Sequence, residues 1–186
     1  MKHLRPRAVA VAAAAALVAA AAAQAAPRFA AHGEPAAVQR QLGAVKAALD
    51  KYKDVDVAKA DGYAVGSPCE MIPTSKGASW WGGAMGVHFI NQALLMKPLN
   101  PLKPPVLTYA PTAGGGFQLL AAEYFKPDAD QKLTTDSDRP SLFGRAFDGP
   151  MLGHSPGMPI HYDLHVWLWK TNPVGLFAPW NPTVHC

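Results

Sequence analysis

The stretch His161-Tyr162-Asp163-Leu164-His165-Val166-Trp167-Leu168-Trp169-Lys170 carries most of the information about the fold. It is dense in β-branched and aromatic residues, and its spacing predicts a strand over 162–170. Side chains alternate across a strand, so Tyr162, Leu164, Val166 and Leu168 fall on one face. That face is ordinary core. His161, Asp163, His165, Trp167 and Trp169 fall on the other. Two neighbouring tryptophans beside titratable groups suit a cavity wall better than an open exterior, which makes Asp163, Trp167 and Trp169 expected pocket residues.

Working outward, residues 85–90 form a second short strand candidate. Residues 106–110 and 117–125 flank Thr112-Ala-Gly-Gly-Gly116 and read as a hairpin with a loose turn. The acidic, polar stretch 127–140 reads as a loop. The N-terminal part is different. Val38, Leu42, Val45, Leu49 and Tyr52 recur at helical spacing, with Arg40, Lys46, Asp50 and Lys51 on the other faces. Asp54 or Asp56 can cap a further short helix through Ala60, and Gly62 supplies a stop. Helix first and antiparallel strands after predict an α+β fold: an N-terminal amphipathic helix packed on a small sheet or partial barrel.

Residues 1–26 have the three parts of a secretory signal. These are a cationic head (Lys2, Arg5, Arg7), an apolar run over 8–23, and small residues around Gln24 for a peptidase. The run is alanine-rich and short of the roughly 20 residues of a membrane span, so no span is expected once the signal is removed. Residues 27–35 are expected to be a flexible lead-in, and 36–186 a single globular domain. Three of the net four positive charges lie in the signal, and no dense basic patch follows it, which excludes a nucleic-acid binder. The chain is expected to work in the periplasm or outside the cell. In an oxidising compartment its two cysteines, Cys69 and Cys186, are expected to bridge.

Two motifs fail on physical grounds. Gly153-His154-Ser155-Pro156-Gly157 has the spacing of a nucleophile elbow, but Pro156 lacks the N–H that such an elbow donates. Asp128, Asp130, Asp136 and Asp138 lack the glycine and glutamate of a calcium loop. Three other polar residues carry more weight. Glu123 lies in the row Phe117, Leu119, Ala121, Glu123, Phe125, where a carboxylate needs a partner. His88 and His165 lie on two further strand candidates. Two imidazoles and a carboxylate suit zinc, and also copper or iron. His161 is a fourth candidate, but on a strand it stands roughly 13 Å along the chain from His165, near the limit for sharing one ion.

Three functions compete on these residues. The first is an exported metal-binding or metal-dependent protein using His88, Glu123 and His165. The second is a metal-free module binding a small molecule in a pocket lined by Trp167, Trp169, Trp80 and Trp81. The third is a structural envelope protein in which all these groups are core. Neither an enzymatic reaction nor an oligomeric state follows from the residues.

Several stretches carry a resemblance. They are Gly62-Tyr63, Cys69, Met85-Gly86-Val87-His88-Phe89-Ile90-Asn91, Glu123-Tyr124 and Ser141-Leu142-Phe143-Gly144. Leu164-His165-Val166-Trp167-Leu168-Trp169, Asn172-Pro173-Val174-Gly175-Leu176-Phe177, Asn181-Pro182 and Cys186 follow. Together these resemble a family of exported bacterial proteins of uncharacterised function, over roughly residues 50–186. The resemblance implies export and the pairing of Cys69 with Cys186; it implies no activity, cofactor or catalytic residue.

Overall fold

A computed structural model describes residues 33–71 and 83–186. The expected signal and residues 27–32 of the lead-in lie outside the described residues, as do Trp80 and Trp81. Helix α1 (Ala36–Leu49) runs into a turn of 3-10 helix (Asp50–Lys53) and the short α2 (Val55–Ala60). The Asp54 side chain caps α2 by accepting from Asp56 N–H. Gly62, in the left-handed region at φ +94°, turns the chain out of it.

Six strands then build one antiparallel sheet. β1 is Ala64–Met71 and β2 is Ala84–Ile90. A single helical turn, α3 (Gln92–Leu95), separates β2 from the hairpin of β3 (Val106–Pro111) and β4 (Phe117–Pro127). A two-stranded ribbon, β5 (Ser141–Leu142) and β6 (Arg145–Ala146), precedes β7 (Asp148–Met151) and β8 (His161–Val166). The main sheet is ordered β1-β2-β3-β4-β8-β7 and curls as a half-barrel over the helices. This is the α+β arrangement predicted.

The helices pack on one face of the sheet because their apolar stripe must leave water. Leu42, Val45 and Leu49 of α1, with Tyr52, are buried against Phe89, Leu107, Tyr109, Ala122, Tyr124, Leu164 and Val166. Each leucine-sized side chain buried there contributes roughly 1.5–3 kcal/mol, and cutting Leu42 back to alanine is expected to cost about 2–5 kcal/mol.

The two sheet edges, β1 and β7, escape a sequence reading for one reason. Each contains proline (Pro68, Pro150) and glycine (Gly66, Gly149), which argue against a central strand. At an edge, the missing N–H costs nothing in the ladder.

Two irregularities alter the faces. In β4, Thr108 of β3 pairs with Ala121 while Tyr109 pairs with Leu119, so Leu120 is an extra residue. The predicted single row from Phe117 to Phe125 is therefore broken. Phe117 and Leu119 pack on the helix side, whereas Ala121 lies in a small second core with Ala84, Leu120, Trp167 and Val184. Strand β8 also stops at Val166, short of the predicted Lys170. Trp167 N–H donates to Leu176 O instead, and Trp169 N–H to Leu120 O.

The C-terminal segment closes one end. Ala84 and Asn181 form an antiparallel bridge, and Cys69 is disulfide-bonded to Cys186, 117 positions away. The predicted disulfide is thus present. No helix among the described residues is long and apolar enough to cross a membrane.

Candidate metal centre

The register places the polar residues on the face of the sheet away from the helices. His88 of β2 lies opposite Thr108, which lies opposite Ala121. One rung further, Val106 faces Glu123, and Glu123 faces His165. Val87 and Phe89 point to the helical core, so His88 between them points away from it. The same alternation turns Glu123 and His165 from their neighbours Ala122, Tyr124, Leu164 and Val166.

Three strands thereby bring three ligand-bearing side chains together. One ligand atom each from His88, Glu123 and His165 lies within 4.8 Å of the others, and all three residues are buried. His88 Nε2 is 3.2 Å from Glu123 Oε2. His165 Nε2 is 3.6 Å from the same oxygen. Neither contact is an aligned hydrogen bond: Glu123 Oε2 and both ring nitrogens of His165 are buried without a hydrogen-bond partner.

The charges follow from this burial. Burial pushes the Glu123 carboxyl up, but His165 and His88 beside it outweigh burial and hold it below the ordinary carboxylate range. Burial likewise pulls His88 down, and the Glu123 charge reverses the sign, so His88 sits above its ordinary value. His165 is pushed down to about 4, chiefly by burial and despite the same carboxylate. The trio thus favours charge on Glu123 and His88 and a neutral imidazole at His165.

Further groups orient the trio. The register of β1 against β2 skips between Val65 and Cys69, and in that gap Ser67 turns inward. Ser67 Oγ lies 2.8 Å from His88 Nδ1 and accepts from His88 N–H at 3.3 Å. It also donates to Pro68 O at 2.7 Å. With its one proton used there, the hydroxyl accepts from Nδ1–H and leaves Nε2 to face Glu123. Asp163 stands on the other side of His165, its Oδ1 3.8 Å from His165 Nδ1. Burial, then the charges of Glu123 and Asp148, raise Asp163 well above the ordinary carboxylate range.

The sequence-predicted residues do not all converge. His161 is fully buried but stands outside the cluster; its Nε2 is 3.8 Å from Asp163 Oδ2, and its ring stacks on Phe125. The strand spacing anticipated this, since an extended chain carries His161 away from an ion held by His165. The expected pocket wall of Asp163, Trp167 and Trp169 does not line the cavity beside the cluster; Asp163 and Trp167 flank His165, whose ring stacks with that of Trp167. Trp167 is buried in the second core and donates Nε1–H to Ala178 O at 2.6 Å. Trp169 lies on the helix side, where Nε1–H donates to Asp50 Oδ1 at 2.6 Å and Lys46 Nζ sits over the ring. The strand ends at Val166, so alternation no longer holds for Trp169. Asp163 is buried between His161 and His165 instead.

A cavity of about 380 Å³ does adjoin the cluster, bordered by His88 and Glu123. Its walls come from β1, β2, α3, β3, β4 and the turn at 154–159, which no strand pattern assembles in advance. Ser67 was also missed, and nothing in Gly66-Ser67-Pro68 singles it out before the bulge is seen. The rejected elbow is indeed a turn, and His154 and Ser155 within it border the cavity.

No protein-family model matches this chain, and no curated protein or solved structure matches it either.

Proposed function

We propose that this is an exported metal-binding protein whose His88, Glu123 and His165 hold one divalent transition-metal ion. The orphaned atoms support this most directly. Glu123 Oε2 and both nitrogens of His165 are buried without partners, and a group left so costs about 1–3 kcal/mol each. A cation among the three residues would take the lone pairs of Glu123 Oε2, His88 Nε2 and His165 Nε2, leaving His165 Nδ1–H directed at Asp163. Ligand atoms at 2.0–2.2 Å from zinc lie roughly 3.3 Å apart in a tetrahedron. The separations of 3.2 and 3.6 Å already approach that.

Two nitrogens, one oxygen and a fourth place on the cavity side suit zinc first, and copper or iron after it. A bound ion would act there as a Lewis acid. Ser67 fixes which nitrogen His88 presents, and Asp163 stands behind His165, as outer partners of metal-bound histidines do.

Export rests on the signal-like residues 1–26, on the family resemblance and on the disulfide. Elemental analysis and intact-mass measurement of protein purified from its own host together test both halves of the proposal. One equivalent of metal per chain and a mass beginning near residue 26 or 27 are expected. Protein without metal that also takes up none on dialysis against zinc would leave a metal-free binding module as the better reading.

A further inference from the structure

The cavity beside the cluster is built in two parts. Beside the cluster stand the polar groups Ser67, His88 and Glu123, and Gln92, His154 and Ser155 are the other polar residues of the lining. Its floor is apolar and continuous with the first three, because Ile90 pairs with Val106 and Val106 pairs with Glu123 across the ladder. Phe125, two residues beyond Glu123, extends the same face, while Leu95 of α3 and Met158 of the facing turn close the sides. Its volume, about 380 Å³, is in the range of small-molecule sites. His165 does not border it whereas His88 and Glu123 do, so a coordination place left open by the three residues would face the cavity.

We infer that this site takes a small molecule with an apolar body and a single nitrogen or oxygen donor head. The body lies along Ile90, Val106, Phe125, Leu95 and Met158, and the head meets the metal between His88 and Glu123. The inference rests on the metal assignment above. It goes beyond it in stating what the fourth coordination place is for and what shape of ligand the protein selects.

Two probes of one donor chemistry test it. The full chain is loaded with cobalt(II), and its visible spectrum is titrated with imidazole and with 4-phenylimidazole. Imidazole offers the head alone; 4-phenylimidazole adds a body that fits the apolar walls. Burying much of a phenyl ring should make the larger probe bind at least roughly tenfold more tightly. Leu95→Asp, at a half-buried wall position outside the ligand set, should remove that advantage and leave imidazole affinity unchanged. Met158→Glu should do the same from the opposite wall, and cobalt stoichiometry reports that each variant is folded. Equal affinities for the two probes in the wild type, or a cobalt spectrum that neither probe moves, would overturn the inference while leaving the metal site standing. Failure to take up cobalt at all would overturn both.

Discussion

Replacing Glu123 with glutamine keeps the side chain's size and removes its charge. The carboxylate is buried, is 3.2 and 3.6 Å from the two imidazoles, and is the one anion of the trio. Zinc at one hundred times its Kd stabilises a folded chain by about 2.7 kcal/mol. For a domain of this size each kcal/mol moves Tm by about 2–4 °C, so zinc should raise the wild-type Tm by about 5–10 °C and chelator should reverse it. Glu123→Gln should shift by less than about 2 °C, because an amide is a weak zinc donor and offers no charge. The substitution also has a cost without metal, since it strips buried His88 of its counter-charge. Removing one member of a buried pair costs about 3–5 kcal/mol, and the amide's ability to accept from His88 places this case at the low end. Melting curves with zinc and with chelator, beside elemental analysis, separate the two effects. Equal zinc content and equal zinc shifts in wild type and variant would refute the assignment of Glu123 as a ligand.

Asp163→Asn should lower zinc affinity about 10–100-fold without removing a ligand, as loss of an outer partner does; competition against a chromophoric chelator reads it, and unchanged affinity would mean Asp163 does not orient His165. Reducing the Cys69–Cys186 bond, or Cys186→Ser, should lower Tm, because the bond closes a loop spanning 117 positions and contributes up to about 4.7 kcal/mol in the chain-entropy model; the native chain should also lack alkylatable thiols when unfolded without reductant. For the metal-free protein, His165 at about 4 in the fold against an ordinary 6.5 means that the unfolded chain binds more protons between those values. Stability should therefore fall as pH drops from 6.5 to 4, by about 3 kcal/mol from this residue, and His165→Asn should flatten that limb. His88 and Asp163 act in the other direction: each is raised in the fold, so its contribution is full below its ordinary value and fades as pH rises through the folded one. A stability profile from pH 4 to 6.5 that is the same in the wild type and in His165→Asn would show that His165 is not held neutral.

The amino-acid sequence by itself determined the elements whose signal is periodic and local. The stripe from Val38 to Tyr52 made α1 and the turn after it, since apolar residues at that spacing have one way to leave water. The alternation in residues 162–166 made the core face of β8, and Glu123 stood out because an ion in an apolar row needs company wherever the row ends up. That His88, Glu123 and His165 lie on three separate strands was legible in the same way. Their meeting was decided by the tertiary structure. It depends on β4 lying between β3 and β8 and on the register that sets Glu123 opposite His165, and non-local pairing leaves no mark in a single strand. The bulge at Leu120 and the end of β8 at Val166 were equally invisible, and they moved Trp167 into a core and Trp169 to the helical side. Edge strands β1 and β7 are held by partners rather than by propensity, so Ser67, and with it the orientation of His88, appeared only when β1 was laid against β2.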